Sequence, residues 1–103
     1  MKKQFLHNLL LGADECETFE FFCLECGGTL PDMTDSEAID LLKNIWEYHI
    51  DPSFKTILKI SGMTQKRFAE TYNIPLRTIE DWATKRKTSP TYVSELLLSD
   101  ILF

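Results

Sequence analysis

The side chains with the widest chemical range in this chain are three cysteines and two histidines. Cys16, Cys23 and Cys26 stand in a C-x6-C-x2-C spacing, with His7 and His49 elsewhere. A tetrahedral zinc would take Cys23 and Cys26 plus two further ligands, and only this one close pair is present. A redox pair at Cys23–Cys26 lacks a strand-then-helix context. The third reading is a small buried hydrophobe, the usual role of cysteine in a reducing compartment. Phe19, Phe21, Phe22 and Leu24 around the pair favour that reading, so no metal and no cofactor is expected. The 16 acids recur without a partnered base. Neither a glycine-rich phosphate loop nor a G-x-S-x-G nucleophile elbow occurs, so enzymatic chemistry is not expected.

The cations are more informative. The net charge of −5 conceals an uneven division. Residues 1–50 carry three lysines (Lys2, Lys3 and Lys43) against ten acids. Residues 51–103 carry eight cations against six acids, and all eight lie between Lys55 and Lys87. A locally basic surface on an acidic chain points to divided labour: one half suited to phosphates, the other repelling them.

Such cations need rigid elements to present them. Apolar periodicity predicts helices throughout. The first spans Lys2 to Leu11 and stops at Gly12. A second opens at Asp14, with Glu15 and Glu17 near its positive end, and carries Phe19 to Cys26 with more than one face covered; the run FEFFCL also suits a short buried strand. Gly27 and Gly28 end it before a turn around Pro31. Asp35 or Ser36 caps a third helix reaching about Tyr48, with Ile39, Leu42, Ile45 and Trp46 inward. Ser53 caps a fourth from Phe54 to Ser61, closed by Gly62. Thr64 caps a fifth whose inner face is Phe68, Ala69 and Tyr72. Asn73, which tolerates a left-handed backbone, stops it. Ile74 is a buried turn residue, and Pro75 opens the sixth helix, where a missing N–H costs nothing. Ile79 and Trp82 face inward there, leaving Leu76, Arg77, Thr78, Glu80, Asp81 and Lys85 outside. Ser89 and Pro90 start a last helix with Val93, Leu96 and Leu97 inward. Its apolar tail is expected to pack on the N-terminal helices or on a second subunit.

The pattern Gln65, Ala69, Ile74, Ile79 and Trp82 resembles the helix-turn-helix of the lambda-repressor-like (Cro-like, XRE-like) DNA-binding family, and the run RKTSPTYV resembles the basic loop and following helix that end many such domains. The resemblance covers residues 51–103. It implies that residues 75–85 enter the major groove of double-stranded DNA, with Leu76, Arg77 and Asp81 at base edges and Thr78 at a base or phosphate. Arg77 suits guanine, whose O6 and N7 a guanidinium grips with two hydrogen bonds. Gln65 matches a position that contacts a phosphate and buttresses the second helix. Lys66, Arg67, Lys85, Arg86 and Lys87 are phosphate candidates, which position without specifying sequence. Asn73 and Lys85 stand where the family commonly has glycine.

The expected architecture is therefore all-α: a lambda-repressor-like helix-turn-helix domain at 51–103 behind an acidic helical extension at 1–50. The expected function is that of a prokaryotic or phage transcriptional regulator, a homodimer on a palindromic site. The extension would dimerise, mask the basic surface, or bind a protein partner. The last option makes the chain an interaction module of antitoxin-like type whose acidic half takes a basic partner. With no signal-peptide pattern and no run of the ~20 apolar residues that a membrane span needs, the chain is expected in the cytoplasm.

Overall fold

The computed structural model describes residues 2–26 and 33–103, with side chains from residue 4 onward. Among these residues the chain is all-α: α1 (Lys2–Asp14), α2 (Phe19–Cys26), α3 (Asp35–Ile50), α4 (Phe54–Ser61), α5 (Gln65–Tyr72), α6 (Leu76–Ala83) and α7 (Thr91–Leu102). The Gly27–Gly28 stop and the turn around Pro31 lie outside the described residues. No described helix is long and apolar enough to cross a membrane.

Helix ends in the C-terminal half follow from short-range chemistry. The Ser53 hydroxyl accepts the Thr56 N–H and opens α4, and Thr64 does the same for Arg67 at the start of α5. Gly62 closes α4 at φ 70°. Asn73 closes α5 in the left-handed region (φ 52°, ψ 46°), and Ile74 donates its N–H to the Ala69 carbonyl across the turn.

Several ends in the acidic half differ from expectation. Gly12 does not stop α1, which runs on to Asp14. A Cβ at Gly12 would stand 3.1 Å from Cys26 Sγ, so glycine serves the close approach of α2. Asp14 ends α1 rather than opening α2. The Thr18 hydroxyl takes the Phe21 N–H at 3.2 Å where α2 begins. Neither Asp35 nor Ser36 caps α3. Thr34 does so, in a reciprocal capping box with Glu37.

One cluster of buried residues crosses the 50/51 boundary. Leu6, Phe22, Leu42 and Ile45 from the acidic half join Ile57, Phe68, Ile79 and Leu98 from the other, all but inaccessible to solvent. Helix α7 is the bridge: it packs on both α1 and α4, and Phe103 meets Phe5 edge-on at 5.4 Å. The apolar tail thus packs on the N-terminal helices. Wedged between two helices, α7 buries Ser94, Leu97 and Leu98, leaving Leu96 half exposed, contrary to expectation. Ile39 is likewise 50% exposed, because α3 turns Ala38, Leu41, Leu42, Ile45 and Tyr48 inward instead. On α2 only Phe22 is fully buried, so the expectation that more than one face is covered does not hold.

Candidate nucleic-acid interface

Helices α5 and α6 are held by aromatic packing from behind. Phe54 of α4 meets Phe68 edge-on at 5.2 Å and Trp82 at 5.3 Å. These contacts, with fully buried Ile79, fix the rotation of α6 about its axis. The consequence is an outward strip at its start: Leu76 is 41% exposed and Arg77 is exposed, while Thr78 is half-buried. At the start of α5, Gln65 is half-buried, and Lys66 and Arg67 point to solvent. Ile74 is half-buried in the turn between them. The described residues of the acidic half pack chiefly against α4 and α7 and leave this strip open.

Beyond α6 the chain turns back through residues 84–88. Lys85 takes φ 62°, the left-handed region that glycine enters at no steric cost, so the lysine keeps a path glycine would also follow. Lys85, Arg86 and Lys87 are all exposed. A cavity of about 260 Å³ lies behind the loop, bordered by Tyr48, Trp82, Lys85, Lys87 and Ser94. The loop therefore spans a hollow instead of resting on the core.

What ties it down is Asp81. Expected on the outer face of α6, Asp81 is in fact only 8% exposed. Its carboxylate lies 3.9 Å from Arg86 Nη1 and 4.0 Å from Lys87 Nζ. Its carbonyl accepts the Lys87 N–H at 3.2 Å. Asp81 thus lies one turn beyond Arg77 on the same face of α6 but is covered by the loop and paired with its cations. Glu80 is the acid that remains exposed on α6. Sequence spacing placed Asp81 one helical turn beyond Arg77 and could not register that the loop folds back over it. The run of three cations that begins four residues later was the available signal.

The cysteines belong elsewhere. Cys16 is buried, and Cys26, against Gly12 of α1, and Cys23, in the groove facing α3, are half-buried. Burial pushes all three thiols up, with smaller contributions from nearby Glu15, Glu20 and Glu25. Raised thiols stay protonated near neutrality, which suits packing better than nucleophilic chemistry. Among the described residues no group of three or more His, Cys, Asp or Glu side chains is arranged to hold a metal ion. His7 and His49 instead contact Glu95 at 3.6 Å and Asp14 at 2.9 Å.

No family model matches the chain, and no curated protein and no solved structure matches it.

Proposed function

We propose that the chain is a sequence-specific double-stranded DNA-binding protein of helix-turn-helix type, a transcriptional regulator that lays α6 in the major groove. One observation carries this reading. In an acidic chain, α6 with its exposed Leu76 and Arg77 packs on α5, which carries the exposed Lys66 and Arg67, and runs directly into the loop that carries the exposed Lys85, Arg86 and Lys87. That is the arrangement expected of a reading helix between two backbone clamps. The resemblance of this region to lambda-repressor-like proteins supports the same reading.

The roles follow from exposure. Arg77 reads guanine and Leu76 contacts a thymine methyl. Thr78 reaches a phosphate from its half-buried position. Gln65 contacts a phosphate at the start of α5 and buttresses α6, and the five cations neutralise neighbouring phosphates. Asp81 is removed from the base-contacting set and acts on the loop. A homodimer would read two half-sites about one helical turn apart. The exposure of Leu76, Arg77 and the five cations supports an acidic half that extends the body of the protein over one that masks the basic surface.

Selection of bound duplexes from a random pool tests the proposal. A recovered consensus with two-fold symmetry supports it; a pool that stays random after repeated rounds at low salt contradicts it.

A further inference from the structure

Helices α2 and α3 border an open apolar groove of about 590 Å³ to which no residue of α5 or α6 contributes. That volume falls within the ~300–1,000 Å³ of clefts that hold organic ligands. Phe19 and Leu42 line it, Leu24 and Ile39 stand along it, and Glu20 and Asp35 complete its edge. Leu24 is 81% exposed and Ile39 50%, and Phe21 beside them is 48% exposed. Three large apolar side chains open to water on two adjacent helices form a patch that a protein gains by covering.

We infer that this groove docks an amphipathic, basic helix of a separate partner protein. The charge around it selects that occupant. Glu20 and Asp35 stand on the groove's edge and no cation lines it, whereas Glu37, Asp40 and Glu47 of α3 border other hollows, towards α7 and α4. A second copy of this chain would bring the same acids face to face across a two-fold axis, and like charges so placed oppose association. DNA is repelled for the same reason. The cations between Lys55 and Lys87 lie on helices and a loop already packed into the other half of the same molecule. A groove between two helices accepts a third through apolar anchors at i, i+3 or i+4, and i+7. Lysines or arginines on the flanks of that helix would then meet the acidic edge. The inference stands independently of DNA binding, because it uses a different surface.

The test is titration of the isotope-labelled full chain with a synthetic Leu/Lys amphipathic helix, followed by NMR. Shifts confined to α2 and α3 are expected. A Leu24→Ser/Ile39→Ser double variant should bind at least about tenfold more weakly, a factor equivalent to ~1.4 kcal/mol. Both side chains are largely exposed, so the fold should persist, as circular dichroism can verify. Leu96→Ser, at a half-exposed residue of α7, should bind as the parent does. The inference is overturned if a scrambled Leu/Lys peptide or a Leu/Glu helix binds equally well, or if the double variant binds undiminished. It is also overturned if the parent sediments as a dimer that the double variant cannot form, since a second copy then fills the groove.

Discussion

Replacing Asp81 by Asn separates two roles that this carboxylate could play. The amide keeps the size of the side chain, so no cavity forms, but it cannot balance two cations. Each ion pair is about 4 Å long, and the partner heads of Arg86 and Lys87 are 71% and 74% exposed. At that separation two unit charges attract by ~1 kcal/mol in water, and exposed pairs retain about 0.2–1 kcal/mol after screening and side-chain ordering. Losing both should cost about 1 kcal/mol in stability, which for a domain of this size lowers the melting temperature by roughly 4–8 °C. Much of that loss should vanish in high salt, which already screens the pairs. Thermal unfolding by circular dichroism at two ionic strengths measures it. Base preference, read on a panel of single-base-pair variants of the selected duplex, should not change at any position. A carboxylate that accepted from cytosine N4 would behave in the opposite way: an unaltered melting temperature and a loss of ~1–3 kcal/mol of discrimination at one base pair. That outcome would refute the assignment of Asp81 to the loop.

Other expectations concern the strip, the loop and the far side of α5. Arg77→Ala should weaken binding to the selected site by roughly 1–3 kcal/mol and relax specificity at one base pair, measurable by competition with point-substituted duplexes. Arg86→Ala and Lys87→Ala should weaken all sequences alike, each reducing the slope of log K against log salt by about 0.9. The Tyr72 hydroxyl donates to Asp100 Oδ2 at 2.8 Å, tying α5 to α7. Burial, then the hydrogen bond and charge of Asp100, push the phenol up to about 12. The folded value exceeds the unfolded one, so this contribution is complete below pH 10 and is lost as pH rises towards 12. Tyr72→Phe should therefore cost about 1 kcal/mol near neutrality and flatten the alkaline loss of stability, as chemical denaturation across that range would record.

The parts of the fold that could be read in the sequence are those set by chemistry within one turn. Ser53, Gly62, Thr64 and Asn73 each decide a helix end through their own hydroxyl or backbone freedom, and the boundaries of α4 and α5 follow. By contrast, α6 ends at Ala83 and leaves Lys85, expected on its outer face, in the loop at φ 62°. Gly12 was misleading because its lack of a side chain serves Cys26, a partner on another helix. Ile39 and Leu96 were placed inward by periodicity, yet both helices offer more apolar positions than one buried face can use. Which of them stays outside depends on the angle at which neighbouring helices arrive. Asp81 depends on a chain reversal five residues downstream. The groove between α2 and α3 was invisible for the same reason: it exists only once Leu24 and Ile39 fail to find cover.

The central claim is that the exposed strip of α6 and the cations beside it hold duplex DNA. Its most direct test is the salt dependence of affinity for the selected duplex. Five candidate phosphate contacts, Lys66, Arg67, Lys85, Arg86 and Lys87, set an upper limit of about −4.5 on the slope of log K against log salt counted per bound protomer, and three engaged contacts give about −2.7 per protomer. A slope between those values, made shallower by each loop substitution, is the predicted result. No measurable binding at low salt, or a slope near zero that Arg86→Ala and Lys87→Ala leave unchanged, would contradict the claim.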